Sequence, residues 1–498
     1  MAEYFISRQQ AEGDLLSAAA FLAENIKSSD GHAEAMKAIV PLYLAKGNVD
    51  LAAELANAVA EPFSRDQILI LVAAKCAETD DDEYALQLAD AVEDLGMRAQ
   101  ALERIAIIKA AKGQADAARS IAGQMEHADF VTGSIAVDQA AKGDDVCALA
   151  TLETIDFPTA RAIALQQIAA AKIEGGDTVK AAEMLDLAFT AANEIEHNEE
   201  KIRALCDIGN LYIEAKRSDR AIETFDTAKS YAEVLENTHR DFFLVNCALG
   251  FMYCGSTDLA DRTLDLVTDK TQMASALLGF ARDYWKNDQK EDALDALDEA
   301  HEIIASQREF ETRDSRARNA LISSIAVQFA GFGKAERGIE IARESQDPDE
   351  QMASLTQIAQ ILTIQNDDAL AASTLELIPE EANRVFALIS VADAKEKRGD
   401  KDAAAGDLEE AAAMADSVPQ LASRSSALNE LATLFTAHGN IVRARELAIK
   451  SLEVIGGIRD ESSQAVALAG LAELFDAAGL DLGDTERDRI RTMLFRVQ

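Results

Sequence analysis

Apolar and polar residues follow one another along the chain at helical spacing. Apolar residues recur at steps of three and four, which gives each predicted helix one buried stripe. A similar phrase appears at ALERIAIIKAAKGQADAA (101–118), ALQQIAAAKIEGGDTVKAA (164–182) and FALISVADAKEKRGDKDAAA (386–405). Because one helix pair cannot bury its own apolar face, the recurrence predicts an array of stacked helix–turn–helix units.

Each unit can be aligned on one residue in the turn between its two helices, here called the turn residue. Successive turn residues lie 30 to 45 positions apart. Nine of the thirteen are glycine, which suits a helix end that needs a left-handed residue. The thirteen turn residues are Gly47, Asp80, Gly113, Gly143, Gly176, Lys216, Gly255, Asp288, Gly333, Asn366, Gly399, Gly439 and Gly479.

Two further positions are consistently small. The residue seven places before the turn residue is Ala or Gly in twelve units, with Val40 as the exception. The residue five places after it is also Ala or Gly in twelve units, for example Ala221. Small side chains at fixed offsets allow two helices to cross with their backbones close together, and a larger side chain would overpack the contact.

The unit at 204–232 carries the pattern most completely. Six of its positions match the two-helix signature of the tetratricopeptide repeat (TPR): Ile208, Gly209, Tyr212, Ala221, Phe225 and Ala228. Two positions depart from the family, since Glu233 replaces the proline after the second helix and Leu205 replaces a large aromatic residue. The chain therefore resembles TPR proteins over nearly its whole length without following their consensus.

This resemblance implies an all-α fold, a right-handed α-solenoid of about thirteen TPR-like helix-turn-helix repeats. We expect residues 1–498 to form a single continuous solenoid. Its predicted parts are an N-terminal capping half-repeat whose own first helix is mostly absent (1–30), TPR-like repeats (31–478) and a charged C-terminal capping helix (479–498).

Two segments of this solenoid have unusual spacing. The longer units are expected to have extended helices, as at 189–201. The 45-residue spacing around 308–320 is the best candidate for a bend.

The resemblance also assigns a groove on the concave surface, lined by residues 13, 10, 6, 3 and 2 places before each turn residue. In the middle of the chain these offsets select aromatic residues and methionine beside two cations. The predicted groove patch consists of Phe242, Val245, Leu249, Met252, Tyr253, Arg282, Trp285 and Lys286. Exposed apolar surface rimmed by charge is typical of a peptide-binding site. The alternative is that these residues pack against neighbouring helices.

Charge narrows the range of partners. The chain has 88 acidic and 48 basic residues, for a net charge of −40. Nucleic acids and anionic membranes need a basic footprint, so neither is expected as the main partner. The longest apolar runs are too short for membrane insertion. The acidity indicates either solubility, including adaptation to a salty host, or attraction of basic partners.

Cysteine usage favours a reducing, cytoplasmic compartment. The five cysteines are odd in number and include no CxxC pair, and residues 1–10 do not resemble a signal peptide. Cys247 and Cys254 are seven places apart on one predicted helix face. Two small core residues at this spacing are favoured over a redox pair.

No pattern indicates catalysis. The segment GFGKAE (331–336) lacks the upstream glycine and the Ser or Thr of a phosphate loop. The six histidines are dispersed and none has zinc-ligand spacing. We therefore expect no enzyme activity, no cofactor and no metal.

The sequence predicts a non-enzymatic scaffold or adaptor that binds a protein or peptide, with a basic one as one option, in the concave groove. Trp285, the only tryptophan, is expected to contribute most of the binding energy. The alternative is a self-associating structural or regulatory subunit of a larger assembly.

Overall fold

The computed structural model describes residues 5–306 and 315–495 of the 498-residue chain. Within these ranges the chain forms twenty-eight α-helices, one 3-10 turn at Ala415–Ser417 and no β-strand. The predicted all-α class is confirmed, and successive helices form helix–turn–helix pairs. No described helix combines the length and apolarity that crossing a membrane requires.

The helices are numbered in chain order, beginning with α1 (Arg8–Gly13) and α2 (Leu15–Glu24). Odd-numbered helices from α3 onward are the first helices of the units: α3 (Ser29–Ala45), α5 (Pro62–Glu78), α7 (Leu95–Ala111), α9 (Asp129–Ala141), α11 (Pro158–Glu174), α13 (Asn198–Glu214), α15 (Arg240–Tyr253), α17 (Lys270–Lys286), α19 (Ser315–Gly331), α21 (Pro348–Ile364), α23 (Glu381–Arg398), α25 (Leu421–Ala437) and α27 (Glu461–Ala478). Even-numbered helices follow the turn residues: α4 (Val49–Asn57), α6 (Asp82–Ala91), α8 (Ala115–Ala122), α10 (Asp145–Leu152), α12 (Thr178–Glu194), α14 (Ser218–Glu233), α16 (Thr257–Leu264), α18 (Lys290–Ala305), α20 (Ala335–Ala342), α22 (Asp368–Glu376), α24 (Lys401–Met414), α26 (Ile441–Ile455) and α28 (Asp484–Leu494).

The turn residues close the first helix in a left-handed conformation. All thirteen have φ between +59° and +95°. At Gly47 the backbone N–H donates to the carbonyl of Leu44 (3.1 Å), and the N–H of Asn48 donates to the carbonyl of Tyr43 (2.9 Å). This Schellman closure requires a positive φ, which explains the preference for glycine. The predicted turn residues are confirmed.

The residue after the turn residue starts the second helix. In six units its side chain accepts a hydrogen bond from the backbone N–H three residues later, and these capping residues are Asp81, Asp144, Asp177, Asp367, Asp400 and Asn440. The carboxylate or amide oxygen satisfies an N–H that has no partner within the helix. Two adjacent residues therefore end one helix and begin the next.

Small residues set the distance between helices, as α13 and α14 illustrate. Ala221 is fully buried at the start of α14. Phe225, one turn later, lies with its ring against Gly209 of α13, where a Cβ atom would come within 2.6 Å of the ring. A Cβ atom on Gly250 of α15 would overlap the same ring. Phe225 therefore occupies space that two glycines leave open in adjacent units.

Three short units use an aspartate to fasten the next unit. This residue lies fourteen places before the turn residue, and its carboxylate accepts hydrogen bonds of 2.7–3.2 Å from backbone N–H groups at the start of the following first helix. The pairs are Asp66 with Glu93 and Asp94, Asp129 with Phe157, and Asp241 with Thr268 and Asp269. The carboxylate thus satisfies helix-start N–H groups that have no partner within their own helix.

Helix length follows unit spacing. Turn residues 30–33 positions apart enclose a second helix of 8–10 residues, and those 39–45 apart enclose one of 14–17 residues. The helix extension expected at 189–201 corresponds to the end of α12 at Glu194 and the start of α13 at Asn198. The bend expected around 308–320 falls largely outside the described residues.

The chain divides into two compact units, a terminal unit (1–101 with 355–498) and a central unit (102–354). The two ends of the chain meet within the terminal unit. Helix α2 packs along α27, and α27 also contacts α3. Seven of the ten residues of α2 are buried. Helix α2 therefore has its main packing partner in α27, from the other end of the chain.

Helix α28 packs against α1, α2 and α26. Its buried residues are Glu486, Ile490, Met493 and Leu494. Arg491 of α28 also forms an ion pair with Glu12 of α1 at 3.1 Å. Such exposed pairs contribute little stability, so apolar burial holds the ends together. The predicted division into caps and one continuous solenoid stays a prediction.

Replacing Ala221 with leucine should lower the free energy of unfolding by about 1–3 kcal/mol, because the added atoms overpack the crossing of α13 and α14. Urea denaturation measures the loss. Hydrogen exchange should show it mainly in α13, α14 and their neighbours. Ala413→Leu, at an exposed position of α24, is the control and should change stability little. A uniform loss of exchange protection across the chain would contradict the nearest-neighbour picture.

Ala19→Leu tests the contact between the chain ends. Ala19 is fully buried in α2, so leucine should destabilise the protein by about 1–3 kcal/mol. Hydrogen exchange should then increase in both α2 and α27, which are far apart in sequence but packed together. An increase confined to α1–α3, with α27 unchanged, would contradict the packing of the two ends.

Candidate functional site

First helices α13 and α15, both in the central unit, enclose a cavity of about 300 Å³, here called the α13–α15 cavity. Helix α13 contributes residues spaced three and four apart, which places them on one helix face: Arg203, Cys206, Asp207 and Asn210. Helix α15 contributes Phe242, Phe243, Asn246, Leu249, Gly250 and Tyr253. The cavity therefore combines aromatic, amide and charged groups.

Two amide side chains in this cavity have unused hydrogen-bonding capacity. Asn210 is exposed and Asn246 is half-buried. Within the described residues, neither side-chain amide has a hydrogen-bond partner in the protein. Each amide offers one acceptor oxygen and two N–H donors, which is the complement of a peptide backbone.

Two carboxyl groups have raised pKa values, one lining the α13–α15 cavity and one on α17. Desolvation by neighbouring groups raises the pKa of Asp207, while the positive charge of Arg203 lowers it. Burial also raises the pKa of Asp283 on α17, against the effect of Lys286 and a hydrogen bond from Asn287. An ionised carboxylate in such a position is less well solvated than in open water.

Three residues of the predicted groove patch line the α13–α15 cavity. Phe242 and Tyr253 are each 46% exposed. Desolvation and the charge of Asp283 raise the pKa of Tyr253, so its hydroxyl stays protonated. Leu249 is half-buried, and a methyl group at Gly279 of α17 would overlap it. These three side chains are reachable at the surface.

Two residues of the predicted groove patch lie elsewhere. Val245 is 4% exposed and Met252 is 1% exposed. Helix α15 packs against α13, α14, α16 and α17, so the side chains at these two offsets are enclosed by neighbouring helices. Val245 and Met252 are therefore core residues, and they support the cavity from behind.

The remaining three residues of the groove patch lie on α17. Arg282 and Lys286 are exposed, and Nε of Arg282 donates to Oε1 of Gln328 at 2.8 Å. Trp285 is half-buried and stacks on Phe332 with ring centroids 4.1 Å apart and planes 8° apart. One face of the indole is therefore covered by the next unit.

A second cavity, which the sequence analysis did not single out, is lined by α7, α9 and α11 and has a volume of about 390 Å³. Its larger apolar side chains are Ile107, Phe130, Val137 and Ile163. These residues lie 6 or 13 places before their turn residues, so the same groove offsets select them. The same offsets predict this surface, but among the residues that line it there is one aromatic side chain and no cation, unlike the patch on α15 and α17.

The α13–α15 cavity offers stacking faces, amides and fixed charges. Among the described residues, no three or more His, Cys, Asp and Glu side chains are grouped so as to hold a metal ion.

Comparison with known proteins identifies only remote similarity. No protein-family model matches the chain, and no curated protein matches it. Among solved structures, Ton1535 from Thermococcus onnurineus NA1 is 18% identical and covers 71% of this chain and 97% of its own, with a TM-score of 0.26. The quorum sensor NprR from B. thuringiensis, in its apo form, is 13% identical over 66% of this chain and 97% of its own (TM-score 0.27). A STAND protein with a tetratricopeptide repeat sensor from Pyrococcus horikoshii is 13% identical over 97% and 87% (TM-score 0.26).

Trp285→Ala should lower the free energy of unfolding by about 1–3 kcal/mol, because it removes the stack on Phe332 together with half-buried apolar surface. Urea denaturation followed by circular dichroism measures this without relying on the lost indole. The exposed neighbour Lys286→Ala serves as the control and should change stability little. An unchanged unfolding midpoint for Trp285→Ala would contradict a stabilising stack.

Proposed function

We propose that the protein is a non-enzymatic scaffold that binds an extended segment of another protein in the groove formed by first helices α13, α15 and α17. One observation carries this proposal. Phe242 and Tyr253, two exposed aromatic side chains, border a cavity in which the amides of Asn210 and Asn246 have no partner within the described protein. Large aromatic residues around a pocket are the usual energetic centre of a binding surface.

The polar and apolar groups of the cavity would contact different parts of the ligand. The amides can bind the peptide backbone, which any sequence supplies. The faces of Phe242 and Tyr253 can pack against an apolar side chain of the ligand. The cavity on α7, α9 and α11 offers a second apolar pocket for a longer ligand.

We propose further that the ligand is basic. Asp207 and Asp283 flank the aromatic residues, and desolvation raises the pKa of both carboxyl groups. A lysine or arginine on the ligand would add to the counter-charge that Arg203 and Lys286 give these carboxylates. The net charge of −40 adds long-range attraction for such a ligand.

A displayed library of random peptides, selected on the purified protein, tests this function. Enriched peptides should be rich in Lys and Arg and contain an apolar anchor. Their affinity, measured by fluorescence anisotropy, should fall at least about tenfold in Phe242→Ala and in Tyr253→Ala, the usual scale of a central aromatic contact. Affinity should also fall as salt concentration rises.

Phe63→Ala is the matched control for this experiment. Phe63 is an exposed aromatic residue on α5, in the terminal unit, and its loss should leave peptide affinity unchanged. Light scattering on the same samples establishes whether the groove is free or covered by a second copy. Peptides that bind wild type, Phe242→Ala and Tyr253→Ala equally well would overturn the proposal.

Asp207→Asn separates binding from stability. Folding shifts the pKa of Asp207 upward, so the ionised carboxylate destabilises the folded state at neutral pH. Asparagine should therefore raise stability at pH 7, and the gain should disappear as the pH falls and wild-type Asp207 becomes protonated. The same variant should bind basic peptides more weakly. Thermal unfolding across this pH range gives the first result and anisotropy the second.

The exposed residue Asp219 on α14 provides the control, since Asp219→Asn removes the same charge away from the groove. It should affect peptide affinity much less. If Asp207→Asn lowers stability at neutral pH, or if both variants weaken binding equally, the assigned role of Asp207 is wrong.

A further inference from the structure

Two cysteine sulfurs meet beneath the α13–α15 cavity. Sγ of Cys206 and Sγ of Cys247 are 4.0 Å apart. They belong to neighbouring first helices and are 41 residues apart in the chain. Cys247 is fully buried, whereas Cys206 is 7% exposed and lines the cavity. Among the five cysteines, all of which are described, this is the one pair whose sulfurs are in contact.

We propose that Cys206 and Cys247 are a reversible modification site at which a hydroperoxide forms a disulfide between adjacent repeats. A disulfide needs an S–S separation of about 2.05 Å, so the sulfurs must approach by about 2 Å. Rotation of the two side chains, with a small shift of α15 against α13, can supply this movement. The cavity admits a small oxidant to Cys206 but leaves no path to Cys247.

The disulfide would form in two steps. In the first, the thiolate of Cys206 attacks one oxygen of hydrogen peroxide: an S–O bond forms, the O–O bond breaks, and the departing hydroxide takes a proton to become water. In the second, Cys247 loses its proton as its sulfur attacks the sulfenic sulfur of Cys206: the S–S bond forms, the S–O bond breaks, and the departing hydroxide takes that proton and leaves as a second water. Two thiols are oxidised and one peroxide is reduced to two waters.

The environment fits this order of events. Contact with Cys206 and burial both raise the pKa of Cys247, so Cys247 stays a thiol until the sulfenic acid forms beside it. Burial raises the pKa of Cys254 to about 11, and Cys254 has no sulfur neighbour in the described structure. Cys147 is exposed and would react with any oxidant, so an experiment must remove it.

The disulfide would also fasten the two walls of the cavity. Helix α13 carries Asn210 and helix α15 carries Asn246, and a covalent link fixes the distance between these amides. We expect oxidation to change peptide affinity, and this second step rests on the proposed function. Formation of the disulfide itself does not depend on any ligand.

The experiment uses the full chain with Cys147→Ser and Cys254→Ala, which leaves Cys206, Cys247 and buried Cys76. The protein is treated with hydrogen peroxide, quenched with catalase, alkylated in denaturant and digested with trypsin without reduction. We expect one linked product that joins residues 204–216 to residues 241–262 and disappears on treatment with dithiothreitol. Full alkylation of Cys206 and Cys247, or a sulfinic acid at Cys206, would overturn the proposal.

Single variants separate chemistry from folding. Cys247→Ala should leave a sulfenic acid at Cys206 that dimedone traps, and Cys206→Ala should abolish the linked product and leave Cys247 reduced. The oxidised parent should resist urea better than its reduced form, because the link closes a long loop. Neither single variant should gain this resistance. A similar gain in Cys247→Ala would contradict the cross-link.

Peptide affinity before and after oxidation tests the second step. If the disulfide forms and affinity changes, both steps are supported. A disulfide that leaves the affinity unchanged overturns the regulatory step alone. If the reduced protein binds no peptide, the proposed function and the regulatory step fail, while mass spectrometry still decides the modification site.

Discussion

The close crossing of two helices beside a left-handed turn is the contact on which the rest of the structure depends. The turn residue reverses the chain within two residues, and small side chains then let the helices approach until their backbones nearly touch. A large side chain fits at this contact only where the facing residues are small. The ring of Phe225, for example, fits only because Gly209 and Gly250 carry no side chain. The same turn geometry thereby closes the first helix of each unit.

In an array of repeats, the terminal helices have apolar faces that no neighbouring repeat covers. In this chain, helices near the two ends bury these faces against each other within the terminal unit. Helix α2 packs along α27, and α28 covers α1 and α2. The ion pair between Arg491 and Glu12 lies at the surface between α28 and α1. The buried alanines and leucines of α2 and α27 contribute most of the stability of the packing between the two ends.

Packing between helices also determines which residues of the predicted groove patch are exposed. Offsets along α15 place Phe242 and Tyr253 at the surface, whereas Val245 and Met252, on the same helix, face its neighbours. At the α13–α15 cavity, desolvation raises the pKa of Asp207, so the charged form of this carboxyl group is disfavoured there. The cavity thus joins an energetically unfavourable polar lining to aromatic residues, above a pair of thiols.

The sequence by itself determined the all-α class, the thirteen turn residues and the small positions, because these depend on local backbone conformation and on helical periodicity. It also identified Phe242, Leu249 and Tyr253 at surface offsets. It could not place Val245 and Met252 in the core, since exposure depends on how far neighbouring helices overlap. It placed Cys247 and Cys254 on one predicted helix face and favoured two small core residues over a redox pair, whereas the structure places Cys247 against Cys206 of the neighbouring first helix. Likewise, the sequence predicts a half-repeat at residues 1–30 whose own first helix is mostly absent, and only the tertiary structure shows that α2 packs against α27. Contacts between residues distant in the chain leave no periodic trace in the sequence, so the fold alone decided them.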